Sequence, residues 1–232
     1  MEHRSPSPLL PPALLLQAYR AGVFPMADRR DDPDCYWVEP RERGIIPLET
    51  FNPSRSLAKT VRQDRFRISC DEDFAGVIAA CAAPRPDGKG SWISYRIEAS
   101  YLALHRLGHA HSIEVRDAEG DLVGGLYGVA FDSVFCGESM FSRATDASKV
   151  ALVWLVAGLK AAGYRVLDCQ FLTDHLASLG AVELPQSEYR ALLAEANHSA
   201  PLSLPQGIRR LREASPYSSP GKSIAQSFTK TS

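Results

Sequence analysis

The stretch from Leu122 to Gln170 constrains the fold more than any other part of the chain. Two strand-like apolar segments, LVGGLYGVAF and SVFCGESMF, lead into DASKVALVWLVAGLKAAG and then YRVLDCQ. The third segment has a cap at Asp146 or Ser148, a continuous apolar face and a stop at Gly163, which predicts a helix. YRVLDCQ reads as a strand buried on both faces. Two acids sit inside this apolar frame, Glu138 and Asp168, and a buried carboxylate is costly unless it is paired or used.

Upstream, HSIEVRD and LVGGLYGVAF form a hairpin through Glu119, Gly120 and Asp121. ISYRIEASYLALHRLG carries Ile93, Ile97, Tyr101, Leu104 and Leu107 near helical period and stops at Gly108. FRISC reads as a strand, DEDFAGVIAACA as a helix capped by Asp71 or Asp73, and APRPDGKG as a loop. Downstream come a helical turn HLASLG, a last strand AVELP and a last helix QSEYRALLAEA. Antiparallel strands followed by a strand-helix-strand unit specify an α+β domain, with one mixed sheet and helices on both faces.

The first 60 residues have another texture. Pro25, Pro33, Pro40, Pro47 and Pro53 cut them into short pieces, among them a helix in LLLQAYRAG and a strand in CYWV. The expected organisation is a small loop-rich N-terminal domain over 1–62, a larger domain over 63–200 and a basic tail over 201–232. The Pro, Ser and basic content of that tail predicts poor order.

A formal net charge of -1 hides a local excess of bases. Arg41, Arg43, Arg55, Lys59, Arg62, Arg65 and Arg67 face only Glu42, Glu49 and Asp64, while Arg209, Arg210, Arg212, Lys222 and Lys230 face Glu213 alone. Both segments suit a polyanion, or a solvated face and tail. Five cysteines without a CxxC pair fit a reducing cytoplasm. LLPPALLL is too short to span a bilayer and is broken by Pro11 and Pro12, so no membrane association is expected.

Several chemistries are disfavoured by the residues themselves. GESMF has Phe141 where a nucleophile elbow needs its second glycine, and Cys136 lies in an apolar segment where packing is the ordinary role of a thiol. His105, His109 and His111 straddle Gly108, which ends their helix, and no paired Cys or acid is near them in sequence, so no metal is expected. The element order resembles a GNAT-type acyltransferase, yet SRATDASK lacks the glycine-rich turn that would cradle a CoA pyrophosphate. If the domain transfers an acyl group, its activated donor is held by something other than a pyrophosphate cradle. Asp168, Gln170 and Glu138 on neighbouring strands, with Gly124, Gly125, Gly128 and Gly137 permitting close backbone approach, suggest a polar site in an apolar pocket. Structural acids satisfied by Arg143, Lys149 or backbone amides are the alternative.

Longer blocks narrow this further. AYRAGVFPM, WVEPRERGIIP, SRSLAKTVR, SWI, LHRLGHAHSIEV, LVGGLYGV, FCGESMFSR, DASK and DCQFLTDHLASLGA cover most of residues 13 to 195. In this order they resemble the leucyl/phenylalanyl-tRNA protein transferase family. The resemblance implies a small N-terminal domain followed by a GNAT-like domain. It also implies transfer of Leu or Phe, sometimes Met, from aminoacyl-tRNA to the α-amino group of proteins beginning with Arg or Lys, as a degradation signal of the N-degron pathway. A cytoplasmic monomer without a cofactor is the corresponding expectation.

Carried over residue by residue, the resemblance makes Asp168 and Gln170 the catalytic pair and Glu138 the third polar residue. Gln170 would orient the attacking amine and share its proton, with Asp168 as compensating charge and Glu138 holding substrate or Gln170 in place. Trp92, Leu126, Leu152 and Leu155 would line an uncharged pocket for the donor side chain, with Trp37 near the terminal adenosine. Arg55, Lys59, Arg62 and Arg65 of the basic stretch would contact tRNA phosphates. Two other readings stand beside this one, a silent tRNA- or degron-binding module and a CoA-dependent N-acyltransferase.

Overall fold

The computed structural model describes residues 9–84, 90–215 and 219–228. Residues 85–89 of the expected loop and Lys230 of the tail lie outside them. The chain opens with α1 (Pro12–Arg20) and an antiparallel ribbon of β1 (Phe24–Met26) and β2 (Tyr36–Val38). Next come β3 (Glu42–Ile46), α2 (Arg55–Arg62), β4 (Arg67–Cys70), α3 (Phe74–Ala82) and α4 (Tyr95–Arg106). The side chains of Ser54, Asp73 and Ser94 cap these three helices by accepting the N–H of Leu57, Gly76 and Ile97, so Asp73 rather than Asp71 is the cap of α3.

The central run is β5 (Ala110–Arg116), β6 (Leu122–Phe131), β7 (Val134–Ser142), α5 (Ala147–Ala162) and β8 (Val166–Gln170), as the apolar pattern predicts. It is followed by α6 (Asp174–Ser178), β9 (Val182–Pro185), α7 (Gln186–Glu195), α8 (Leu204–Glu213) and α9 (Pro220–Ser227). Seven strands form one mixed sheet in the order β4-β5-β6-β7-β8-β3-β9. Every neighbouring pair is antiparallel except β7 and β8, the two strands that α5 connects. One face packs against α5 through Val150, Val153 and Leu155, the other against α3 and α4 through Phe74, Ile78, Ile97 and Leu104.

Two expectations need correction. β3, flanked by Pro40 and Pro47, is an interior strand between β8 and β9, so a boundary at residue 62 does not separate two independent sheets. Its pairing with β8 is long-range, which local punctuation cannot reveal. The tail is also not a loose segment among the described residues. Leu204, Ile208, Ile224 and Phe228 recur at i, i+4 spacing and are buried in the α5-side core. α9 packs on α2, where the Gly221 N–H donates to Asp64 at 3.0 Å.

Candidate active site

Two irregularities in the sheet create the site. β7 and β8 pair only from Val134↔Val166 to Cys136↔Asp168 and then part. In β7, Gly137 lies opposite Gly128 and Ser139 opposite Tyr127, so Glu138 is an extra residue in a bulge. In β8, Asp168 lies opposite Ile45 and Gln170 opposite Gly44, leaving Cys169 as the extra residue. Gln170 has φ of +58°, a left-handed conformation that a non-glycine residue adopts only when its surroundings hold it. The parted strands leave a cleft of about 480 Å³ with Glu138 and Gln170 on its wall.

The two acids have different surroundings. Asp168 is fully buried, and the Arg43 Nε and Nη2 donate to its two oxygens at 2.9 and 2.5 Å. The Tyr189 hydroxyl at 2.8 Å, the Cys136 thiol at 3.2 Å and the Gln170 N–H at 2.8 Å donate to the same carboxylate. Arg43 is itself 1% exposed, gives Nη1 to the Gly22 carbonyl at 3.0 Å and lies between the rings of Phe24 and Tyr189. Burial pulls the guanidinium down, but the Asp168 charge and hydrogen bonds outweigh it, and Arg43 is held firmly in its charged form. Burial raises the Cys136 thiol well above its ordinary value, which removes it as a nucleophile.

Among the described residues, no cation is in contact with Glu138. Its Oε1 accepts from Gln170 Nε2 at 2.9 Å and its Oε2 from the Tyr101 hydroxyl at 3.1 Å, with Tyr19 and Tyr101 sharing a hydroxyl contact of 2.5 Å behind it. Burial pushes Glu138 up to about 8, the Tyr19 hydroxyl pulls it back, and the Asp168 charge adds to the rise. A carboxyl that exchanges its proton near neutral pH, bonded to an amide at a cleft wall, can accept and return a proton from a bound group.

The cleft gathers most of the residues read from sequence: Trp92, Leu126, Glu138, Leu152, Leu155, Asp168 and Gln170 all line it. Leu126, Leu152 and Leu155 are buried and supply an apolar floor. Trp37 is outside this lining, 40% exposed on β2, while Phe24 and Met26 of the paired strand β1 form one edge. Arg55, Lys59, Arg62 and Arg65 are exposed on and just after α2. Arg43 was counted with these surface bases in the sequence, and the structure buries it instead. Tyr19, Tyr101 and Tyr189 were also missed as site residues, since an isolated tyrosine in an apolar helix carries no sequence signal of its partner.

The histidines take other places. His105 stacks on Phe74 and bonds the Ala110 carbonyl, and His111 meets Asp71 at 2.6 Å. At the start of α5, Asp146 has φ of +65° and its carboxylate accepts from Lys149 Nζ at 2.9 Å. The turn that enters α5 has no glycine between Arg143 and Lys149, which keeps the argument against a CoA cradle.

The comparisons with known proteins decide the family. Residues 45–194 match leucyl/phenylalanyl-tRNA protein transferase, and residues 9–41 match its N-terminal domain. The chain belongs to this family. It is therefore an aminoacyltransferase by family. A leucyl/phenylalanyl-tRNA--protein transferase of Novosphingobium aromaticivorans is 54% identical over 96% of this chain and 97% of the relative. One of Rhizorhabdus wittichii is 60% identical over 78% of this chain and 73% of the relative. Among solved structures, L-PGS from Bacillus licheniformis aligns with a TM-score of 0.39 and 15% identity, over 70% of this chain and 54% of that one, too distant to add to the assignment. α8 and α9 lie beyond the matched residues of the transferase family. No helix among the described residues is long and apolar enough to cross a membrane.

Proposed function

We propose that the cleft joins the α-amino group of a protein beginning with Arg or Lys to Leu or Phe, and also Met, carried as the ester of a tRNA. The amine nitrogen attacks the ester carbonyl carbon, a C–N bond forms, and the bond from carbonyl carbon to ribose oxygen breaks. The Glu138 carboxylate takes the proton lost by the amine and returns it to the leaving ribose oxygen. Gln170 holds the amine and Glu138 in register. Because the ester is already activated and an α-amino group has a pKa of about 8, a carboxylate of comparable basicity is a sufficient base.

The observation that carries this reading is the Glu138–Gln170 pair at 2.9 Å on the wall of a largely apolar cleft. Leu126, Leu152 and Leu155 suit an uncharged donor side chain and Trp92 adds a ring face. The exposed ring of Trp37 offers a stacking surface for a terminal adenine. When ionised, Glu138 gives the cleft a negative charge that suits an acceptor with a cationic first side chain. Arg55, Lys59, Arg62 and Arg65 would contact tRNA phosphates, so binding should weaken steeply with salt. The parting of β7 from β8 and the glycine-free turn before α5 favour a GNAT-like domain adapted to a donor other than CoA. Acting as a cytoplasmic monomer, such an enzyme would mark its products for degradation through their new N-terminal residue.

The test is single-turnover transfer of labelled Leu from Leu-tRNA to a peptide beginning with Arg and to the same peptide beginning with Ala, for wild type and Glu138→Gln. Transfer to the Arg peptide alone, lost in the variant, is expected. Tight tRNA binding without transfer by wild type would leave a binding module instead.

A further inference from the structure

Neither the family match nor the chemistry above gives Arg43 a task, yet it is the largest of the fully buried side chains. Burying a guanidinium and a carboxylate together seldom adds net stability over an apolar pair, so the placement calls for a second reason. The geometry supplies one. With the Arg43 fork on both of its oxygens, the Asp168 carboxylate is fixed in orientation, and Oδ1 accepts the Gln170 N–H at 2.8 Å. That N–H belongs to the residue whose backbone is left-handed and whose side-chain amide reaches Glu138 at 2.9 Å. Five donors occupy the Asp168 carboxylate, about as many as its lone pairs accept, so it has no capacity left to receive a substrate proton.

We propose that Arg43 is a positioning residue for transfer. Its fork aims Asp168 at the Gln170 N–H, and through that bond holds the strained backbone that points the Gln170 amide at Glu138. Asp168 thereby acts on the backbone and not as a base. Through Gly22 and Phe24, the same guanidinium ties the segment after α1 to the strand that carries Gln170. Lysine cannot replace it, because a single ammonium reaches one oxygen and leaves the carboxylate free to rotate.

This inference rests on the transfer reading, and the experiment separates the two. Single-turnover Leu transfer to the Arg-initiated peptide is measured from pH 6 to 9.5 for wild type, Arg43→Lys, Arg43→Gln and Arg43→Gln/Asp168→Asn, each well below its own Tm. Arg43→Lys and Arg43→Gln should each slow transfer at saturation by roughly 100-fold, with the peptide KM within about twofold, as expected when a reacting group is misplaced and not lost. In Arg43→Gln the rising limb of the pH profile should move upward, because the Arg43 charge helps to hold Glu138 down. The double variant, freed of an unpaired buried charge, should regain Tm but stay roughly tenfold or more below wild type in rate. If Arg43→Gln does not fold, Arg43→Lys and the double variant decide. A folded variant with the wild-type rate and pH profile would reduce Arg43 to a fold-holding residue while leaving the transfer reading intact. A wild-type enzyme without transfer would overturn that reading, and this inference with it.

Discussion

The two carboxylates that line the cleft, Asp168 and Glu138, stand on adjacent parallel strands and have opposite fates. Asp168, at the last position where β8 pairs with β7, is closed off: no exposure, five donors, and a cation whose charge balances its own. Glu138 lies two residues beyond the matching position of β7, in a bulge, 8% exposed, with only neutral donors among the described residues. Two residues of strand are enough to pass from a region that fixes geometry to one that can exchange a proton. The lesson is that the acid with the most hydrogen bonds is the less reactive one, because each donor that settles a carboxylate also occupies a lone pair.

The largest effect expected from this contrast is on transfer itself. Glu138→Gln keeps an acceptor for Gln170 Nε2 but cannot take a proton, and should slow single-turnover transfer by about 10²- to 10³-fold. A Glu138→Gln rate within threefold of wild type would break the comparison by showing that Glu138 is as settled as Asp168.

Asp168→Asn tests the closed region from the other side. It leaves the Arg43 guanidinium buried without a counter-charge, and breaking such a pair costs about 3–5 kcal/mol. At roughly 3 °C per kcal/mol for a chain of this size, Tm should fall by about 10 °C. An unchanged Tm would mean that Arg43 finds other compensation and that the region is less rigid than its contacts imply.

The third effect is a pH dependence of stability carried by Glu138 alone. Its folded pKa of about 8 is above an unfolded value of about 4.3, so the folded state holds the extra proton between those limits. The contribution is fully present below about pH 4.3 and is lost as pH rises through about 8. Glu138→Gln never ionises and escapes that loss. Relative to wild type its Tm should therefore gain between pH 5 and pH 8.5, by about 6 °C if the change is near 2 kcal/mol. Parallel Tm curves across that range would contradict the proton-exchanging role given to Glu138.

How far the sequence announces these regions depends on whether local pattern or long-range pairing makes them. The strand-helix-strand unit from Val134 to Gln170 is legible because its periodicity and caps are local. Glu138, Gln170, Trp92, Leu126, Leu152 and Leu155 were identified with the help of family-like blocks, and they do meet at one cleft. Alternation along β8 would put Asp168 and Gln170 on one face with one role, whereas the bulge at Cys169 sends them to different partners. Arg43 was hidden because its burial depends on β3 entering the sheet beside β8, and among seven bases in one stretch it carried no mark of its own. The tail was misread for a related reason. Pro, Ser and Arg dominate its composition, while the few apolar residues that dock it on α5 and α2 recur only at helical spacing.

The smallest effect sharpens where the open region ends. Leu152 and Leu155 on α5 line the cleft from beneath, on the side away from Arg43, yet they also belong to the α5-side core. Leu152→Ala removes three carbons from a side chain that is 2% exposed, and the space opens toward the cleft. If that floor holds the donor side chain, the variant should favour the larger Phe over Leu by about tenfold in kcat/KM, near the lower range that a change of a few methylenes gives in an apolar pocket. Transfer to the Arg-initiated peptide should keep its preference over the Ala-initiated one, because no acceptor contact has changed. The accompanying stability loss, about 2–3 kcal/mol for a buried leucine, lowers both donors equally and cancels in the ratio. An unchanged Phe-to-Leu ratio would place the donor side chain elsewhere and return Leu152 to the core, leaving the open region as the Glu138–Gln170 pair alone.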